Sequence, residues 1–137
     1  MAAVRSTNNK AEVALRRELW RRGLRYRLYA PDLIGRPDIV FRHAQVVVFV
    51  DGDFWHGREL IENGLATFRE TIRGKRRKWW INKIRRTVLR DLLVSRQLRT
   101  DGWLVVRIWE STIRQRTESS ATRVETIVRR RAALHDN

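Results

Sequence analysis

The chain contains no cysteine, which excludes disulfides and thiolate metal sites and fits a reducing compartment. Its two prolines, Pro31 and Pro37, bracket a single short segment, so the rest of the chain is free to form regular structure. Acid is scarce. Fifteen Asp and Glu face thirty Lys and Arg, leaving a net charge of +15. Such an imbalance is not needed for solubility and marks a partner that is a polyanion, nucleic acid ahead of an anionic membrane. Long apolar runs are missing too. The longest is Val46 to Val50, far short of a membrane span. The first ten residues, MAAVRSTNNK, lack the apolar core of a secretory signal, so a soluble, intracellular protein is expected.

What is present fits one α/β domain over residues 1–137, with a central mixed β-sheet flanked by helices. Residues 1–8 are polar and expected to be disordered. Asn8 or Asn9 can cap a helix that runs to Arg22, with Val13, Leu15, Leu19 and Trp20 inward and Gly23 as its stop. Arg25 to Tyr29 reads as a short strand and Pro31 to Pro37 as a loop. Asp38 to Phe41 and Gln45 to Val50 read as a strand pair around a turn near Arg42-His43-Ala44. Gly57 to Gly74 is polar and irregular. A long helix is predicted from Lys78 to Thr100, with Ile81, Ile84, Val88, Leu92 and Leu98 buried. Trp103 to Trp109 is a further strand after the Asp101-Gly102 turn. A C-terminal helix within 114–137, capped by Thr117 or Ser119, turns Val124, Ile127 and Val128 inward.

Two acidic features carry chemistry. Asp38 opens one strand, and Asp51-Gly52-Asp53 closes the next. With a turn at residues 43–45, Asp38 would lie across from Val50, its carboxylate near the Val50 carbonyl. Hard cations such as Mg²⁺ take oxygen ligands of this kind. Strict alternation would then turn Asp51 to the opposite face, unless the chain bends at Gly52. Taken alone, Asp-Gly is a common turn signal. Carboxylates kept on a DNA-binding surface, however, need a cation there. His56 follows five residues after Asp51, and an imidazole can take a proton from an attacking water. His43 and His135 read as solvated.

Leu33-Ile34-Gly35-Arg36-Pro37-Asp38-Ile39-Val40-Phe41, then Phe49-Val50-Asp51-Gly52-Asp53-Phe54-Trp55-His56-Gly57, then Trp80-Ile81-Asn82-Lys83-Ile84 and Trp109-Glu110 resemble the very short patch repair (Vsr) endonucleases, in family order, over residues 7–113. The resemblance implies a restriction-endonuclease-like fold of the PD-(D/E)xK type, a monomer, and Mg²⁺-dependent nicking of the strand that carries the T of a T·G mismatch. It implies that Asp38 and the Val50 backbone carbonyl hold one or two Mg²⁺. It places Asp51, His56 and Glu12 in the catalytic site, and Phe54, Trp55 and Trp80 as aromatic wedges in the duplex. On the same ground it implies mismatch-repair proteins as partners and a cytoplasmic, nucleoid-associated place in a bacterial cell.

The chain departs from the family where zinc ligands are expected. Asp53, the segment Gly57 to Leu60 and Ser111 stand there, so no structural zinc is expected. A family asparagine that helps to read the mismatch corresponds to Thr87. The other aromatics, Trp20, Trp103 and Trp109, fit periodic core patterns, and of the neighbours Trp79 and Trp80 one is expected to be buried.

The basic stretch from Arg69 to Arg90 holds ten Lys or Arg and one acid, Glu70. Lys75, Arg76, Arg77, Lys78, Lys83 and Arg86 are the candidates for phosphate contacts, which position a protein on double-stranded DNA without reading sequence. Two other readings stay open. One is a restriction- or defence-type nuclease without mismatch choice. The other is a non-catalytic basic module, which explains the charge but not the carboxylates.

Overall fold

A computed structural model describes residues 9–136. The expected disorder of residues 1–8 and a cap at Asn8 lie outside the described residues. Helix α1 (Lys10–Arg21) starts at Asn9, whose side chain accepts a hydrogen bond from the Glu12 amide at 2.8 Å. That cap satisfies one of the unpaired donors of the first turn. Ala11, Glu12, Leu15 and Leu19 face inward; Trp20 does not and is 49% exposed. Its ring instead takes the Arg25 guanidinium at 3.7 Å and the edge of Tyr26 at 5.6 Å. The inward expectation fails because Leu15 and Leu19 already define the stripe, and position 20 lies a further 100° round the helix.

Strands β1 (Arg27–Leu28), β2 (Ile39–Phe41), β3 (Val46–Asp51) and β4 (Leu104–Trp109) form one sheet in that order. The first two pairings are antiparallel and β3–β4 is parallel, so the sheet is mixed as expected. β1 is much shorter than Arg25 to Tyr29. The parallel pair requires a crossover, which α2 (Arg58–Thr71) and α3 (Arg77–Thr100) supply. The chain ends with α4 (Glu110–Gln115) and α5 (Thr117–His135).

The hairpin register departs from the sequence expectation by one residue. Phe41 pairs with Val46 and Ile39 with Val48, so the turn occupies all four residues 42–45. Gln45 closes it in the left-handed conformation, with φ 55°. Asp38 therefore falls opposite Phe49 rather than Val50. Because side chains alternate, a one-residue shift moves a whole strand to the other face. The consequence is direct: Phe49 and Asp51 share the face on which Val40 and Val47 meet Val94 and Leu98 of α3. Val46, Val48 and Val50 pack on the other face against α1, α4 and α5. No bend at Gly52 is needed to bring Asp51 to the α3 side.

The segment expected to be an irregular loop is helix α2. Its first and second halves meet at Gly64 (φ 87°, ψ 167°), and Phe68 is buried. Phe68 and Ile72 pack on Ile81 and Ile84 of α3, with Leu60, Leu65, Trp80 and Val88 at the margin. The polar composition hides this short apolar stripe, and the glycine interrupts its period. Gly57, at the start of α2, has φ 72°, and a Cβ there would lie 2.4 Å from Val88 Cγ2. Only glycine permits this approach of α2 to α3.

In α3 the buried positions are Ile81, Ile84, Val94, Ser95 and Leu98. Leu92 is 62% exposed, which corrects its place in the stripe. The inward row runs 84, 88, 91, 95, 98, and it therefore includes Asp91. In α5, Val124 and Val128 are buried and Ile127 is partly so. Neither Thr117 nor Ser119 caps it; the N-cap is Arg116, with no side-chain bond.

Candidate active site

A cleft of about 490 Å³ opens between the carboxyl end of β3, the end of β4 and the middle of α3. Asp38, Asp51, His56, Asp91 and Arg107 all line it. The sequence expectations Asp38, Val50, Asp51 and His56 are thus brought to one place.

Asp38 is buried just before β2, and its Oδ2 accepts a hydrogen bond from the Val50 amide at 2.7 Å. This contact orients the carboxylate. Glu12, fully buried in α1, feels the Asp38 charge but is not among the residues that line the cleft. Its Oε2 accepts hydrogen bonds from Arg16 at 2.8 Å and from the Tyr29 hydroxyl. Its Oε1 has no hydrogen-bond partner among the described residues. Burial pushes the Glu12 carboxyl above its ordinary value. The Asp38 charge adds to that push, while the Tyr29 hydroxyl and Arg16 oppose it. A buried carboxylate oxygen with no donor is costly. A hard divalent cation is the partner that this oxygen and Asp38 suit.

Across the cleft stands a second group. His56 Nδ1 lies 2.6 Å from Asp91 Oδ2 and 3.6 Å from Asp51 Oδ1. Arg107 Nη1 reaches both Asp51 oxygens at 3.1 Å and lies 3.9 Å from Asp91 Oδ1. Arg107 is itself fixed by Ser95 Oγ at 2.8 Å and by the Phe49 ring beneath it, 4.0 Å from its centroid. Burial lowers the His56 pKa, but the Asp91 hydrogen bond and the Asp51 and Asp91 charges outweigh it and leave the imidazole above its ordinary value. Burial raises Asp51, and Arg107 and His56 only partly offset this.

Asp51, His56 and Asp91 hold ligand atoms within 4.8 Å of one another, as metal sites do. Here, though, the Arg107 guanidinium and the His56 imidazole already engage both carboxylates. Glu12 keeps a buried oxygen with no hydrogen-bond partner among the described residues, so the Glu12–Asp38 pair is the better fit for a metal.

Sequence reasoning missed Asp91 and Arg107. The signal for Asp91 was a carboxylate on the apolar row of a long helix, four residues before Ser95 and three after Val88. Arg107 was the basic residue inside an otherwise apolar strand.

At the lip of the cleft, Phe54 (47% exposed), Trp55 (36%) and Trp80 form an aromatic cluster. Ring centroids are 5.4 Å apart for Phe54–Trp55, 5.7 Å for Phe54–Trp80 and 5.3 Å for Trp55–Trp80. Trp79 joins at 4.7 Å from Trp80, with Arg76 over its face at 4.3 Å. Trp79 is the more exposed of that pair and Trp80 the more covered. Trp103 and Trp109 are partly buried.

Lys75, Arg76, Lys78 and Arg86 are exposed and Lys83 lines the cleft. Arg77 differs. Its Nε donates to the Ile72 carbonyl at 2.9 Å and its Nη2 to the Arg69 carbonyl at 2.6 Å, closing the C-terminus of α2. Much of its donor capacity is spent there. Asp53, Arg58 and Ser111, which fall where the resemblance led zinc ligands to be expected, are joined to one another by hydrogen bonds. Thr87 lines the cleft, its hydroxyl donating to the Lys83 carbonyl at 3.0 Å.

Residues 1–62 match the family model described as DNA mismatch endonuclease Vsr. The chain is 37% identical to the type II nicking enzyme V.NmeDIP of Neisseria meningitidis serogroup C, over 98% of this chain and 86% of that protein. It belongs to the Vsr family. A further relative is the DNA mismatch endonuclease Vsr of Escherichia coli K12, 30% identical over 85% of this chain and 70% of that one. The type II nicking enzyme V.NaeI of Lentzea aerocolonigenes is 38% identical over 80% of this chain and 64% of that protein. As a Vsr-family member the chain is a DNA endonuclease, and its mixed sheet between helical layers is the restriction-endonuclease-like arrangement of that family. Among the described residues no helix is long and apolar enough to cross a membrane.

Proposed function

We propose that this Vsr-family endonuclease nicks one strand of duplex DNA beside a T·G mismatch, in a Mg²⁺-dependent reaction, as a step of short-patch repair. The observation that supports this most is the convergence of Asp38, Asp51 and His56 on one cleft whose lip carries exposed aromatic rings.

Asp38 and Glu12 are the side chains that would hold the cation, with the Val50 carbonyl as a third donor. When bound, it supplies Lewis-acid stabilisation of the charge that develops on the phosphate. His56 is the proton acceptor. Its Nδ1 faces the Asp91 carboxylate and so carries the hydrogen, which leaves Nε2 to take a proton from the attacking water. The imidazolium that forms is stabilised by Asp91 and Asp51. Arg107 holds the Asp51 carboxylate in place and lies beside that of Asp91. Lys83 and Arg90 line the cleft, where they can pair with flanking phosphates.

Phe54, Trp55 and Trp80 enter the base stack. Unstacking costs a few kcal/mol and costs least at a mismatch, so the wedge itself favours the lesion. Thr87 supports a second reading on this one point. A short hydroxyl already bonded to Lys83 offers a base edge less than an amide would, which favours a nuclease with relaxed mismatch choice. Nicking measured on T·G, other mismatches and matched duplex separates the two. Preference for T·G supports the first, and equal rates on all duplexes contradict it. A monomer working with mismatch-repair proteins is the partner arrangement that this reading carries.

A further inference from the structure

The segment that carries Phe54, Trp55 and His56 is closed on itself by its backbone. His56 N–H donates to the Gly52 carbonyl at 3.0 Å, Gly57 N–H to Phe54 at 3.1 Å, and Arg58 N–H to Asp53 at 2.9 Å. At its foot, three side chains from three different elements form a ring. Asp53 Oδ1 accepts from the Ser111 amide at 3.0 Å, and Oδ2 accepts from the Ser111 hydroxyl at 2.5 Å. Arg58 Nη1 donates to Asp53 Oδ2 and to Ser111 Oγ, each at 2.9 Å. Arg58 Nε reaches Glu62 at 3.0 Å, and its guanidinium lies 5.6 Å from the Trp109 ring centroid.

The ring does work that the local backbone does not. Helix α4 has Trp109 at its N-cap, which offers no side-chain acceptor, and α2 starts from Gly57 with none either. Asp53 supplies the missing acceptor to α4 from another element. Arg58 joins the first turn of α2 to the same carboxylate. Burial raises the Asp53 carboxyl, but its hydrogen bonds with Ser111 and Arg58 outweigh that and hold it below its ordinary value, as expected for a carboxylate that accepts hydrogen bonds at both oxygens.

We infer that Asp53, Arg58 and Ser111 form a positioning clamp for strand nicking, which holds the Phe54–His56 segment against the β4–α4 junction while the aromatic rings are driven into DNA. Insertion loads the segment sideways. His56 must meanwhile keep its place beside Asp91 and Asp51. A clamp one residue from the wedge and three from the imidazole couples the two. None of the three residues touches the reacting atoms; they act through the segment that they hold. The inference rests on the reading that this segment engages DNA.

The test is a double-mutant cycle on Asp53→Ala and Arg58→Ala, with single-turnover nicking of a T·G duplex at saturating DNA and Mg²⁺. DNA affinity and thermal unfolding are measured alongside. Each single variant is expected to nick about tenfold to a hundredfold more slowly once corrected for folded fraction, since a charged hydrogen bond is lost. DNA affinity should change less than the rate. The double variant should be no slower than the worse single, because one device is broken either way. Arg58→Lys should recover part of the rate. Ser111→Ala, which removes one hydroxyl, covers the case in which the larger changes do not fold, and should slow nicking severalfold. Wild-type rates, losses that vanish on correction for folded fraction, or losses that multiply in the double variant overturn the clamp. Asp38→Ala assayed in parallel keeps the two ideas apart. If it loses nicking while the clamp variants keep it, only the clamp fails; if it keeps nicking, the underlying reading fails.

Discussion

His56 and Asp91 stand 35 positions apart in the chain, one in the loop after β3 and one in the middle of α3, and their side chains meet at 2.6 Å. The contact fixes the imidazole tautomer and, with Asp51, holds the His56 pKa above its ordinary value in spite of burial. As the proposed base, His56 works only when neutral. Nicking should therefore rise with pH through a limb displaced above the ordinary histidine range. Asp91→Asn removes the hydrogen-bonded charge, so the limb should move to lower pH while the maximal rate falls. The sign for stability is the reverse. A raised histidine pKa stabilises the fold below the ordinary value, and that contribution is lost as pH rises through the folded value. A pH–rate profile of the variant that superimposes on wild type after scaling would contradict this assignment.

Glu12 offers a separate test of the proposed cation site. Its Oε1 is buried without a hydrogen-bond donor among the described residues. Glu12→Gln keeps the shape and removes the charge. The Mg²⁺ concentration for half-maximal nicking should rise about tenfold or more. An unchanged half-saturation point would remove Glu12 from the metal site.

The close approach at Gly57 makes a stability prediction. Gly57→Ala combines a positive φ with a Cβ 2.4 Å from Val88 Cγ2 and 3.1 Å from Ile84 Cγ2. The cost should be about 2 kcal/mol or more. The melting temperature should fall by about 5 °C or more, as thermal unfolding followed by circular dichroism will show.

How much of this was legible in the sequence depended on the kind of signal. The Asp38 and FVDGDFWH motifs located the cleft, and the alternation of strands with helices gave the sheet. The hairpin register was not legible, because nothing in Arg42 to Gln45 announces that Gln45 adopts a left-handed conformation. That one residue decided which face Asp51 occupies. Helix α2 was hidden by Gly64 and by a polar surface that leaves only Phe68 buried. Asp91 is inconspicuous in the sequence because its neighbour Leu92 is an apolar residue in that turn of the helix. A buried row that includes a carboxylate is itself a sign of a site.

The basic surface predicts a steep salt response. Lys75, Arg76, Lys78 and Arg86 are exposed near the aromatic lip, and Lys83 lines the cleft. With about six phosphate contacts, DNA affinity should fall about a thousandfold between 50 and 200 mM salt. Arg77→Ala should weaken binding less than Arg76→Ala, since its guanidinium is engaged on the α2 carbonyls. A flat salt dependence measured by fluorescence anisotropy would contradict the footprint.

If the cleft between β3 and α3 cuts DNA through Asp38, that carboxylate is indispensable to nicking and dispensable to binding. The deciding experiment is nicking of a T·G duplex in Mg²⁺ by wild type and Asp38→Ala, with DNA binding recorded for both. The variant is expected to bind DNA with little change and not to nick. An Asp38→Ala protein that nicks at the wild-type rate would contradict that role.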